Sequence, residues 1–377
     1  MYYQRCASFG LESSEPNDHG GFGLFPKMRR RVLIFVLTLA LVGILVVRVT
    51  QHGSGSPWSF AQGTSATNGI DVGEISCPTS SFCGVVGMSR AGTWKNGVLQ
   101  SRRILPKQKP VTLKPLVVSI SDYFTDISCP TSGFCVAVTA NGKVVYYMHD
   151  HWIMGQRVTT SKYEGLDTIS CVSQTFCMAG STFDVGYIFD GTNWSDVGSP
   201  QPAAARGAYA AIRSLACTGD QECFVGTAYT NQEFDYSGQI FFFSHGYWSR
   251  ASRSIDPGIA SLACLNELTC IAGTTAGEYL TMEYSGFGNF VWSDPAPISQ
   301  SEASHYNSID GAACPANGMS CYLLSSDGTV FEYSFVTGQA GSGVLAVPGA
   351  EVVGSALSCS PSAVCFIGDY QIYTRTL

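Results

Sequence analysis

The sequence predicts an all-β fold, a seven-bladed β-propeller, on three observations. Fourteen of its fifteen cysteines fall into seven close pairs, the pairs recur every 42–52 residues, and only 13% of residues are charged while Gly (41) and aromatics (12%) are frequent. A 40–50-residue period built from short strands is the repeat of a propeller blade. The composition suits sheets and turns, whereas surface helices would need Glu, Lys and Arg.

The N-terminus is read apart from the repeats. Lys27 and Arg29 to Arg31 precede an apolar run, Val32 to Val47, of sixteen residues. At ~1.5 Å per residue the run covers about 24 Å, and Val49, Thr50 and a snorkelling Arg48 extend it toward the ~30 Å hydrocarbon core. No small-x-small site follows closely, so the expectation is an uncleaved signal anchor over 32–49, with secretion after signal-peptide cleavage as the alternative. The basic flank keeps residues 1–31 cytoplasmic and places the remainder outside the cell. Met28 is an alternative start, which would remove the lone Cys6. Residues 50–56 form a Gly/Ser linker, and the propeller occupies 57–377.

The seven pairs are Cys77/Cys83, Cys129/Cys135, Cys171/Cys177, Cys217/Cys223, Cys264/Cys270, Cys314/Cys321 and Cys359/Cys365. One copy displays the grammar of a blade: GLDTISC enters the pair, FCMAGST leaves it, GYIFD follows, and NWSDV closes the unit after a turn. Each pair therefore straddles the hairpin between strands one and two. The last copy stops after three strands, and Trp58 stands nineteen residues before Cys77, as Trp152 does before Cys171. The N-terminal strand is thus expected to complete the last blade, leaving no open sheet edge. Blade one departs from the pattern: Trp94 lies early, in strand three, and Val98 takes the usual Trp place. Blade six lacks the Trp.

Zinc binding usually needs closer pairs, with a second pair or histidines nearby, and a CxxC redox motif is absent. So many paired cysteines on an exported chain read as disulfides. Each would close a loop of seven or eight residues, worth roughly 2–2.5 kcal/mol in the chain-entropy model. The domain resembles secreted bacterial seven-bladed propellers whose blades carry S-C-P-[ST]-x-x-F-C, then G-x-V-x-x-Y and a Trp. That group implies no defined activity. The Trp-Asp ending of WD40 repeats, the double glycine of kelch repeats and the Asp box of sialidases are all unmet.

Function is sought on the face opposite the Cys hairpins, around the channel. Glu74, Asp126, Asp167, Arg213 and Asp310 stand just before the pairs, with Ser261 and Ser355 in copies five and seven. Such a ring suits a cation, a sugar or a basic peptide; equally, acids cap strand starts and stay solvated. The long loop Ala228 to Gly238 offers Tyr229, Glu233, Asp235 and Tyr236, the mix of rings and carboxylates found in carbohydrate sites, or an ordinary surface loop. Arg102, Arg103, Lys107, Lys109 and Lys114 suit lipid headgroups or an anionic wall polymer, or a solvated loop. His149, Asp150 and His151 resemble a metal scrap in a hairpin with no further ligand at hand, and Asn193 is a formal glycosylation acceptor.

The expected partners are the membrane, through one span, and an extracellular glycan, wall polymer or protein. A net charge of −7 argues against nucleic acid. No cofactor is expected, and the propeller is expected to be monomeric. The leading expectation is a binding or scaffold domain. The alternative is a carbohydrate-active hydrolase or lyase using Asp126, Asp167 and Asp310.

Overall fold

A computed structural model describes residues 58–61, 70, 72–106, 111–113, 116–118, 122–201, 209–230, 236–286, 290–298, 307–316, 318–346, 356–368 and 372–377. The expected cytoplasmic segment, span and linker lie outside these residues, as do Lys107, Lys109, Lys114, Glu233, Asp235 and Ser355. Among the described residues no helix is long and apolar enough to cross a membrane. The strands form a seven-bladed β-propeller, with a four-strand antiparallel path in every blade.

Blade three has the expected grammar, with strands Leu166–Ser173, Phe176–Ser181, Gly186–Phe189 and Trp194–Asp196 paired in that order. The innermost strands are Glu74–Thr79, Phe124–Thr131, Leu166–Ser173, Tyr209–Gly219, Ile259–Asn266, Ile309–Ala313 and Leu357–Cys359, and each neighbours the next around the hub. The first and last are also neighbours, so the hub is a closed circle. At the outer edge of blade seven, Ser59 pairs with Thr374 and Phe60 with Tyr373, and Trp58 is buried against blades six and seven.

The core is divided among the seven blade interfaces. Between blades two and three, for example, Phe134, Val136 and Val138 pack against Leu166, Ile169 and Tyr187. This division follows from sheet geometry. Successive side chains point to opposite faces of a blade, and both faces are covered by neighbours, so second strands such as FCVAVT are buried throughout. Close approach at the hub needs glycine. A Cβ on Gly180 would lie 2.2 Å from Ile212 Cγ2 of the next blade, and one on Gly273 would lie 2.4 Å from Ile309 Cγ2.

All seven expected cysteine pairs are disulfides: Cys77–Cys83, Cys129–Cys135, Cys171–Cys177, Cys217–Cys223, Cys264–Cys270, Cys314–Cys321 and Cys359–Cys365. Their Cα atoms are 3.9–4.3 Å apart. These residues also do more than staple loops. The second cysteine of every pair (Cys83, Cys135, Cys177, Cys223, Cys270, Cys321 and Cys365) is fully buried. Each belongs to its blade's second strand, which neighbours cover on both faces, so its sulfur packs in a core cluster. Cys135 packs with Phe82 and Trp152, Cys321 with Ile309 and Phe331, and Cys365 with Trp58 and Leu324. They are core residues.

Cys171 and Cys177 sit directly opposite each other in adjacent strands, and Cys217 and Cys223 do likewise. At so short a spacing the two residues form a non-hydrogen-bonded pair, and their peptide groups face outward. The N–H of the first cysteine therefore looks away from its own hairpin, toward the preceding blade. There a serine accepts it. Ser76 Oγ accepts from Cys129 N–H at 2.9 Å, Ser128 Oγ from Cys171 at 2.9 Å, Ser170 Oγ from Cys217 at 3.1 Å and Ser358 Oγ from Cys77 at 2.9 Å. The Ser-Cys dipeptide of the repeat thus couples an internal staple to a clamp between blades. Ala216, Ala263 and Ala313 occupy the serine position in blades four to six.

Blade one requires a correction. Trp94 does lie in its third strand, opposite Cys83, but its partner in the fourth strand is Leu99, and Val98 is exposed. Elsewhere Tyr147 faces Trp152 and Phe189 faces Trp194, so Leu99 takes the tryptophan place. The shift of one residue matters because neighbours on a strand point to opposite faces.

Candidate functional site

A β-bulge organises the channel. In blades two to six the pairing of the first two strands slips between Phe124 and Asp126, Leu166 and Thr168, Ile212 and Ser214, Ile259 and Ser261, and Ile309 and Gly311. The residue skipped each time is Thr125, Asp167, Arg213, Ala260 or Asp310. A bulge re-aims the side chain of its extra residue. All five skipped residues line a channel-mouth cavity of about 500 Å3, together with Glu74 and Tyr123.

The expected ring residues share one cavity but differ in their place along the strand. Counted back from the first cysteine, Asp167, Arg213 and Asp310 stand four residues before it, at the bulge, whereas Asp126 stands three before it. The latter position faces a deeper cavity of about 290 Å3 lined by all seven inner strands. Glu74 also stands three before its cysteine and lines both cavities, as do the five bulge residues, whereas Asp126 lines only the second.

Asp126 is spent on structure. Its Oδ1 accepts from Ile127 N–H at 2.6 Å, and its Oδ2 accepts from Ile169 N–H at 2.7 Å and Thr168 Oγ1 at 3.0 Å, joining blades two and three. Burial pushes its pKa up to about 6; these three donors oppose the rise, and the neighbouring Asp167 charge adds to it. Thr125 Oγ1 donates to Leu166 O at 2.6 Å across the same interface, and Ser261 Oγ donates to Ile309 O at 2.7 Å between blades five and six.

Asp167 and Arg213 meet across blades three and four at 3.3 Å, as an ion pair without hydrogen-bond geometry. The Asp167 side chain keeps 15% of its exposure and that of Arg213 keeps 55%. Burial raises the Asp167 pKa and Arg213 lowers it. The guanidinium is thus anchored at one end and open to the mouth at the other. With Glu74 and Asp310, the mouth carries three carboxylates against one guanidinium.

The blade-four loop departs from a simple surface loop. Its hairpin continues upward as Tyr209–Gly219 and Glu222–Thr230, and Tyr229 and Thr230 pair with Ser237 and Tyr236. Ala228 lines the mouth, while Tyr229 reaches sideways to Ser254 Oγ at 3.0 Å. Tyr123, 44% exposed, is a mouth residue missed in the sequence. Its position immediately before strand one of blade two was the available signal.

The other candidates are engaged elsewhere. Asp150 bonds Lys95 Nζ at 2.7 Å and Tyr147 Oη at 2.8 Å. Arg102 donates to Trp152 O, and Arg103 to Ser89 Oγ at 2.8 Å. Among the described residues no group of three or more His, Cys, Asp or Glu is arranged to hold a metal ion.

No family model and no curated protein matches the chain. Solved structures do. The structure described as YCF48 bound to D1 peptide superposes with a TM-score of 0.59 at 11% identity, covering 86% of this chain and 96% of that one. The Cps50 (Swd1) β-propeller domain of Myceliophteria thermophila gives a TM-score of 0.58 at 10% identity, covering 82% and 97%. At such identities the likeness is one of fold.

Proposed function

We propose that this chain is a membrane-anchored extracellular binding propeller, tethered by residues 32–49, whose channel mouth takes a protein segment or a cell-envelope polymer. The observation that carries the reading is the bulge repeated in five blades. It turns residues of four different types toward one mouth while the strands that hold them stay rigid, the arrangement expected of a recognition surface on a fixed scaffold. The acidic excess there favours a ligand with cationic or hydroxyl-rich groups, with Arg213 as a single acceptor-seeking contact. A propeller of similar fold described as bound to a peptide supports a protein segment as one such ligand. The pairing of Ser59 and Phe60 with the last strand supports an N-terminal strand that locks the ring.

The test is an array of glycans, wall polymers and peptides probed with the wild type, Asp167→Asn and Asp310→Asn. A ligand of the mouth loses about tenfold or more in affinity in either variant; a ligand indifferent to both removes the mouth as the site. Protease treatment of intact cells should degrade the propeller and spare the N-terminal segment. Protection of the propeller would refute the orientation.

A second reading, a carbohydrate hydrolase, draws on Asp126 and Asp167, two neighbouring carboxyls with raised pKa values. It is the weaker one, because both Asp126 oxygens already accept backbone or hydroxyl hydrogens. Turnover of an array hit that disappears in Asp126→Asn and Asp167→Asn would favour it.

A further inference from the structure

The disulfide face carries more than staples. Between blades four and five it opens into a groove of about 500 Å3. Phe242 comes from the third strand of blade four, Tyr284 and Phe290 from the outer hairpin of blade five, and Leu268 from the tip of the Cys264–Cys270 hairpin. Glu222 and Glu267 complete the lining, which among the described residues contains no Lys, Arg or His. Among the described residues neither glutamate forms an ion pair.

An insertion in blade five builds this groove. From the inward aromatic of strand three to the Trp of strand four, blades two, three and four count five residues (Tyr147 to Trp152, Phe189 to Trp194, Phe243 to Trp248). Blade five counts ten, from Met282 to Trp292. The longer hairpin adds the pair Tyr284 and Phe290 beyond Met282 and Trp292. Phe290 lies 4.7 Å from Phe242 and 5.8 Å from Tyr284, centroid to centroid, at 53° and 49°. Tyr284 is 41% and Leu268 43% exposed. Between blades two and three, the residue matching Phe242 is Tyr146, and Trp194 covers it, its indole N–H donating to Tyr146 Oη at 2.7 Å. Over Phe242 the described ring is Phe290, which leaves Phe242 half-buried and lining the groove.

We propose that the groove docks an arginine side chain presented by a partner protein segment. A guanidinium stacks flat on an aromatic face and offers its edge hydrogens to carboxylates, so it uses rings and glutamates together. A quaternary ammonium would leave the directional capacity of the glutamates unused, and an apolar side chain would partly desolvate two unpaired carboxylates. Leu268 and the ring edges take the methylene stem. A peptide is favoured over free arginine because the lining has no cation to receive an α-carboxylate, which would face two glutamates.

The test uses the full-length chain and calorimetric titration with acetyl-Ala-Arg-Ala-amide, its citrulline analogue and free arginine. The arginine peptide should bind about tenfold or more tightly than the citrulline peptide, with an advantage that shrinks as salt rises. Glu222→Gln/Glu267→Gln should abolish that advantage with unchanged circular dichroism, and Tyr284→Ala should weaken binding several-fold. Asp167→Asn and Asp310→Asn should leave it intact, separating this groove from the acidic mouth. Equal binding of the arginine and citrulline peptides, no saturable binding, persistence in the double glutamine variant, loss in the mouth variants, or tighter binding of free arginine would each overturn the proposal.

Discussion

Asp126 provides the sharpest test of how the hub is held. Its pKa rises from 3.8 to about 6 in the folded chain, chiefly because burial penalises the charged form. An acid with a raised folded pKa favours folding while it is protonated. Its contribution is complete below the unfolded value of 3.8 and is lost as pH rises through the folded value near 6. About two pKa units at 1.36 kcal/mol each come to about 3 kcal/mol, or about 2–3 kcal/mol once partial exposure is allowed for. Asp126→Asn cannot ionise and must lose this pH dependence. It should also be less stable than wild type at pH 4, by about 1–3 kcal/mol, since its amide turns a donor toward Ile127 N–H or Ile169 N–H. The assay is urea unfolding of both proteins, disulfides intact, at half-unit steps from pH 3.5 to 7.5. The gap between them should narrow, or reverse, as pH rises through 6. Parallel profiles, agreeing within about 0.5 kcal/mol across the range, would refute the assignment of Asp126 as a strained hub carboxylate.

Three further outcomes follow from the repeat itself. Ser128→Ala, which removes the acceptor of Cys171 N–H, should cost about 1 kcal/mol in unfolding midpoint, whereas Ala263→Ser, adding a clamp hydroxyl where none stands, should cost far less or stabilise. Gly180→Ala should destabilise by about 1–3 kcal/mol through overlap with Ile212, while Gly133→Ala, with open space around its Cβ position, should be nearly neutral on the same measurement. Non-reducing peptide mapping should recover each cysteine pair, from Cys77–Cys83 to Cys359–Cys365, as its own cross-linked fragment, and reduction should lower the melting temperature; crossed pairings would contradict the blade assignment.

The blade was legible because its determinants are local. A hairpin clasped by Cys171 and Cys177, a third strand with Phe189 and a fourth with Trp194 all lie within one stretch of chain. The site was legible only in part. Glu74, Asp167, Arg213 and Asp310, which line the mouth, were named, whereas Tyr123, Thr125 and Ala260 were not. A bulge has no residue signature of its own here, since Thr, Asp, Arg, Ala and Asp fill it in turn. The serine before the first cysteine in four blades passed for part of a repeat, because its partner N–H belongs to another blade 43–53 residues away, or 281 across the ring closure. The burial of Cys135, Cys321 and Cys365 was hidden for the same reason, since part of what covers them, such as Phe82, Ile271 and Leu324 in turn, comes from a neighbouring blade.

The uneven spread of that clamp bears on where binding surfaces can arise. Serines join blade seven to one and so on to four, but Ala216, Ala263 and Ala313 leave the next three interfaces without this bond. Those interfaces are held by other means. Ser261 reaches Ile309 O between blades five and six, Arg375 lies over the Tyr322 ring between six and seven, and aromatic packing joins four and five. At the last of these Phe224 is fully buried and Trp292 nearly so, at 9%. Phe224 meets Phe290 at 5.0 Å and Trp292 at 6.1 Å, so the inner rings carry the packing. The outer edges of Phe242 and Phe290 can then face solvent without loosening the interface. Tyr284, at the tip of the inserted hairpin, adds to the groove more than to the core. Tyr284→Ala should therefore change ligand affinity while moving the unfolding midpoint by less than about 1 kcal/mol. A large loss of stability in that variant would place Tyr284 in the core and remove the physical basis for a groove built to be filled.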